Sequence, residues 1–114
     1  MTEETEAIIA AVRAVPRGKA ASYGAVARYA GLLGGFRPPH PRQVARILHS
    51  CSERYALPWH RIINARGCIS LPSGGGFEEQ AALLQAEGVA VAASGAVAAE
   101  AFLADLPGPA EKGG

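Results

Sequence analysis

Apolar runs of membrane length are missing from this chain: none reaches the 18 or so residues that a spanning helix requires. The amino terminus, Met1-Thr2-Glu3-Glu4, turns acidic at its third residue and is no signal peptide. Cysteine is scarce, with Cys51 and Cys68 only. The two could pair in principle, but without a secretory signal the expectation is two reduced thiols in a cytoplasmic protein. No metal or cofactor site is expected. What is there suits a packed globule: 49% of the 114 residues are hydrophobic, near the length at which one core becomes adequate. One domain is expected over residues 1–106, with 107–114 as a disordered tail, and a monomer.

The formal net charge of +1 hides a strong asymmetry. Residues 13–66 hold ten of the eleven Lys and Arg against a single acid, Glu53. The middle of the chain is therefore +9, with −3 before it and −5 after it. A block of this kind suggests a basic face meeting a polyanion, nucleic acid above all. A solvated basic surface without a partner is the alternative.

Ile8, Ile9, Val12 and Val15 recur at helical spacing within residues 4–15, behind Glu3, Glu4 and Glu6, whose charge suits a helix amino end. Pro16-Arg17-Gly18 ends that helix. Ser22 is a good N-cap for a second helix, Tyr23 to Ala30, closed by Gly31. A loop rich in Gly and Pro follows from Leu32. A third helix starts at Pro41, where a missing N–H costs nothing, and runs to Ser50 or slightly beyond. Val44, Ile47, Leu48 and Cys51 share one side of it, and Arg42, Arg46 and His49 the other. This pair of helices reads as a helix-turn-helix, although the connection is longer than a tight turn. An ordinary amphipathic surface helix is the bland alternative.

Further on, Ile62-Ile63 and Cys68-Ile69 flank Asn64-Ala65-Arg66-Gly67, which predicts a small hairpin or wing. Pro72 to Gly76 reads as a flexible loop, Glu78 to Glu87 as a helix capped by Gly88, and Val89 to Val91 as a strand. Residues 96–106 fit helix or strand equally. The fold class is α/β, mainly helical, with a helix-turn-helix or winged-helix-like core.

The most specific stretch is Leu57-Pro58-Trp59-His60-Arg61-Ile62-Ile63-Asn64-Ala65-Arg66-Gly67. It resembles the active-site segment of the DNA alkyltransferases that repair alkylated guanine, whose Pro-Cys-His-Arg carries the alkyl-accepting cysteine. Trp59 stands at the cysteine position. The likeness is therefore closer to the alkyltransferase-like proteins, which keep the scaffold and lack the nucleophile. It extends over roughly residues 8–92 and implies an ungapped match upstream. Arg42-Gln43-Val44 matches the family's Arg-x-Val, whose Arg enters the duplex in place of an extruded base. Ala21-Ser22-Tyr23-Gly24 matches its Thr-Tyr-Gly, whose Tyr promotes nucleotide rotation, and Pro16-Arg17-Gly18-Lys19 matches the motif leading into it.

By the same resemblance His60 and Glu87 match the base and its orienting carboxylate, and Arg61 the structural Arg after the His. That network is retained with nothing to activate, because indole nitrogen is no alkyl acceptor. The resemblance implies DNA contacts from Tyr23, Arg42, Gln43, Ala45 and Arg46, and a base pocket of Tyr23, Leu48, Trp59, His60, Ile62 and Ser73. Trp59 could instead be plain core. Departures from the family include Ala45 in place of Gly, Gln80 in place of Lys, a longer Leu32–His40 loop, and no cation in Leu71-Pro72-Ser73.

The implied function is non-catalytic recognition of guanine alkylated on its exocyclic oxygen. The partners would be double-stranded DNA and, by analogy, nucleotide excision repair proteins, in a protein associated with the bacterial nucleoid when bound. An alkyltransferase using Cys68 or Cys51, or a helix-turn-helix transcription regulator, are the alternatives.

Overall fold

The computed structural model describes residues 1–106; the tail expected at Pro107–Gly114 lies outside them. Helix α1, Glu3–Arg13, starts where the Thr2 side chain accepts the Thr5 N–H at 3.0 Å. Its first turn carries Glu3, Glu4 and Glu6 and its last Arg13, so both ends oppose the helix dipole. It buries Ala7, Ile8, Ile9, Ala11 and Val12, and stops two residues before the expected Val15, which is buried in the turn that follows.

Strand β1, Ala20–Ser22, was not foreseen: three small residues buried throughout show no alternation from which to read a strand. Ser22 has a second role as the N-cap of α2, Tyr23–Gly34, accepting the Ala25 N–H at 3.0 Å. The expected stop at Gly31 is corrected by one turn. Gly31 lies inside the helix because the following loop folds back onto it. A Cβ there would sit 2.9 Å from Pro38 Cα and 3.0 Å from Phe36 O. The helix ends instead at Gly35, in the left-handed region at φ 69°.

Helix α3, Pro41–Tyr55, begins at the expected residue and runs further than Ser50. His40 caps it through Nδ1, which accepts the Arg42 N–H at 3.0 Å. Helices α2 and α3 form the helix-turn-helix over the loop Gly35–His40.

After a short 3₁₀ turn, Trp59–Arg61, strand β2 (Ile62–Ile63) pairs in parallel with β1, and β3 (Phe102–Leu103) pairs in parallel on its other side. Alternation across this sheet divides the core in two. Ala21 and Ile62, partners in register, face the helical cluster of Ile8, Val12, Val26, Val44 and Ile47. Ala20 and Ile63 face a second cluster with Ile69, Leu84, Val89 and Val97.

The expected hairpin of Ile62-Ile63 with Cys68-Ile69 is also corrected. Asn64 does reverse the chain, its Oδ1 accepting the N–H groups of Arg66 at 2.9 Å and Cys68 at 3.0 Å. Because β2 pairs with β1, only one backbone bond, Asn64 N–H to Cys68 O, joins the limbs. Cys68-Ile69 pairs instead with residues 95–97, which fold back antiparallel on Val91.

Helix α4, Phe77–Ala86, follows a Pro72–Gly76 loop that is tied down: Glu78 accepts from Ser73 Oγ at 2.6 Å and Gly74 N–H at 2.9 Å. Residues 96–106 resolve into a 3₁₀ turn, Ala99–Ala101, and β3. No helix among the described residues is long and apolar enough to cross a membrane.

Candidate functional site

The site is organised by one turn. Pro58, at φ −77° and ψ 63°, sits in an inverse γ-turn in which the Trp59 N–H donates to Leu57 O at 2.8 Å. Proline fixes that φ in advance. The Arg61 N–H then donates to Pro58 O at 3.0 Å, closing the 3₁₀ turn before Ile62 enters β2. Within so tight a bend the neighbouring Trp59 and His60 rings stand edge to face at 89°, with centroids 6.3 Å apart.

His60 and Arg61 turn towards Glu87, the C-cap of α4, whose side chain is only 6% exposed. His60 Nε2 lies 2.8 Å from Glu87 Oε2; since a carboxylate only accepts, that nitrogen carries the proton. Arg61 donates to the same carboxylate from Nε at 3.0 and 3.1 Å and from Nη2 at 2.7 Å, while its Nη1 donates to Val15 O at 3.0 Å. The Gly18 N–H adds a further bond at 3.0 Å. Burial alone would raise the Glu87 pKa. Arg61, the Gly18 N–H and His60 outweigh it and hold the carboxyl down at about 2.

Trp59 turns the other way, into a cleft of about 810 Å³ between α3 and α4. This volume falls within the range of about 300–1,000 Å³ usual for ligand pockets. Tyr23 from α2, Ala45, Leu48, His49, Ser52 and Glu53 from α3, Ile62 from β2, Leu71, and Glu79 and Gln80 from α4 complete the wall. Burial pushes the Tyr23 hydroxyl up, with the Ser70 hydroxyl pulling less strongly down, so it stays a neutral phenol. Gln80 is 2% exposed and donates from one amide nitrogen to His60 O and Ile62 O, each at 3.0 Å, bracing the turn from α4. The Ser52 hydroxyl oxygen is buried with no hydrogen-bond partner among the described residues.

Of the six residues expected around a base pocket, Tyr23, Leu48, Trp59 and Ile62 line this cleft; His60 and Ser73 do not. His60 is bonded to Glu87 instead, and the Ser73 hydroxyl to Glu78. On α3, Val44, Ile47 and Leu48 are buried, while Arg42, Ala45, Arg46 and His49 are exposed along one stripe that reaches the cleft through Ala45 and His49. Gln43 holds Arg46, accepting from its Nη1 at 3.2 Å. Neither Cys51 nor Cys68, both unbridged, lines the cleft.

The basic block is only partly a face. Arg61 is spent on Glu87, and Arg28 pairs with Asp105 at 2.7 Å. Arg37, Arg42, Arg46, Arg54 and Arg66 are exposed and without an ion pair among the described residues. Sequence reasoning missed Gln80 as a brace, His40 as a cap, and Glu53 and Glu79 as cleft residues. A polar residue at an apolar position of α4 was the one available signal for Gln80.

Comparison with known proteins converges on one family. The family described as "6-O-methylguanine DNA methyltransferase, DNA binding domain" matches residues 3–89. A "DNA base-flipping protein" of Vibrio parahaemolyticus is 37% identical over 91 residues, 80% of this chain and 85% of its own. Its namesake in Escherichia coli is 42% identical over 86 residues, 75% of this chain and 62% of its own. An alkyltransferase-like protein of Schizosaccharomyces pombe is 38% identical over 82 residues, 71% of each chain. Its crystal structure with damaged DNA containing O6-carboxymethylguanine superposes with a TM-score of 0.68, at 35% identity over 81% of this chain and 82% of that one. With Trp59 in the cleft and a helix-turn-helix beside it, the chain belongs to the alkyltransferase-like members of the DNA alkyltransferase family.

Proposed function

We infer that this protein recognises guanine alkylated on its exocyclic oxygen in duplex DNA, by receiving the flipped base in the cleft, and leaves the lesion unrepaired. One observation carries the reading: at the position the family gives to its reactive cysteine, an indole faces a cleft large enough for a ligand. A flipped base gives up its stacking in the duplex, and an aromatic wall returns about 1–3 kcal/mol of it. Indole can stack but cannot accept an alkyl group, and the two cysteines lie elsewhere.

The Arg42 guanidinium, exposed in the first turn of α3, fills the gap left by the extruded base, being planar and rich in donors. Tyr23, on the cleft wall, crowds the backbone and favours rotation. Arg46, Gln43 and the close-packing Ala45 hold the groove. His60 and Glu87 serve as scaffold inherited from the repairing enzymes. A lesion held but not removed matters through what the complex recruits, and by family analogy that is nucleotide excision repair. The relatives named for base flipping and the one crystallised on damaged DNA support this reading.

The test is a titration of matched duplexes, one plain and one carrying O6-methylguanine, at a stated salt concentration. Tighter binding of the methylated duplex, with no gain of a methyl mass on the protein, is expected. The Arg42→Ala variant is expected to lose most of that preference. Equal affinity for the two duplexes would sink lesion recognition, and a methylated protein would sink the non-catalytic reading.

A further inference from the structure

We propose that the cleft sorts alkylated guanines by the charge of the adduct, accepting neutral and cationic adducts and penalising anionic ones. The inference rests on the cleft being the base pocket and adds a specificity to it. Two carboxylates line the cleft from opposite sides, Glu53 on α3 and Glu79 on α4. Among the described residues neither is in an ion pair, and no Lys or Arg lines the cleft. His49 is the one basic side chain on its wall among the described residues. A third acid, Glu78, lies next to Glu79, its carboxylate held by Ser73 and Gly74 on the loop beside the cleft.

The ion pairs that quench other acids are absent here. Glu87 is surrounded by donors and Asp105 is matched by Arg28, whereas Glu53 and Glu79 stand exposed, without an ion pair among the described residues, on the wall of a concave, partly apolar space. Such a space focuses the field of like charges. A carboxylate carried on the adduct enters that field; a neutral adduct of the same shape does not. Under solvent screening the expected penalty is about tenfold in affinity, on the order of one interaction between like charges near a protein surface.

The experiment compares four duplexes of one sequence: plain, O6-methylguanine, O6-carboxymethylguanine and O6-carboxamidomethylguanine. The last two are close in size and differ by one charge. The wild-type protein is expected to bind the carboxamidomethyl duplex about tenfold more tightly than the carboxymethyl one. The gap should shrink as salt is added, and close in the double variant Glu53→Gln, Glu79→Gln. The readout is a ratio within each protein, so a small change in folding cancels. Equal affinities in the wild type, or an unchanged gap in the double variant, would overturn the proposal. If the methyl and plain duplexes also bound equally, the base-pocket reading would fall with it. Preference for methyl over plain, with no charge preference, would remove the proposal alone.

Discussion

The two faces of the Trp59–Arg61 turn are opposites in how their polar groups are satisfied. Behind it, Glu87 takes bonds from Arg61, His60 and Gly18, and Arg61 reaches on to Val15. In front of it, Trp59, Tyr23 and Leu48 border open space, Ser52 has no partner, and Glu53 and Glu79 stand unpaired among the described residues. Three consecutive residues thus separate a saturated polar cluster from an unsaturated cleft. The contrast teaches that one turn can serve two ends, with the groups behind it tying the chain down and those in front left open.

That comparison breaks first at Glu87. Replacing it by Gln leaves Arg61 largely buried without its counter-charge, which should cost about 3 kcal/mol of stability in urea unfolding. A loss below about 1 kcal/mol would make the cluster a surface ornament. The same cluster predicts an acid profile. The folded-state pKa of Glu87 is lowered from 4.5 to about 2, so its stabilisation is full above pH 4.5 and lost as pH falls from there towards 2. Unfolding measured across that window should show a slope that Glu87→Gln flattens, and an identical slope in both proteins would refute it. The open face is probed by Trp59→Ala. Lesion-over-plain selectivity should fall about tenfold, within the range of one lost stacking contact. Plain-DNA affinity, set by phosphate contacts, should stay within about twofold. A uniform loss on both duplexes would assign Trp59 to the fold instead.

Much of this was legible from the residues, for identifiable reasons. The helices announce themselves through period and caps: Ser22 for α2, Pro41 for α3, Gly88 after α4. The sheet does not, because strands of two or three residues are too short for alternation and Ala20–Ser22 is uniformly small. Gly31 misled because a helix stop and a close approach by another segment leave the same mark, an absent side chain. Trp59, Tyr23, Leu48 and Ile62 could be grouped only through the Pro58–Arg61 motif and its family likeness. Glu53 and Glu79 were hidden because they are 26 positions apart and come to line one cleft only through the tertiary fold. The basic block overstated the charged face, since linear charge does not show that Arg28 and Arg61 are consumed by acids from the far end of the chain.

The bracing of the turn by Gln80 bears on speed as well as shape. One amide clamps the carbonyls on both sides of Arg61, and the Glu87 cluster anchors the turn from behind, so the turn that carries Trp59 is braced without any ligand. A preorganised receptor has little ordering entropy left to lose. The slow and discriminating part of capture then belongs to the DNA, in how readily a nucleotide leaves its stack. Under the proposed base capture, weakly paired lesions would be trapped sooner than well-paired ones of equal final affinity.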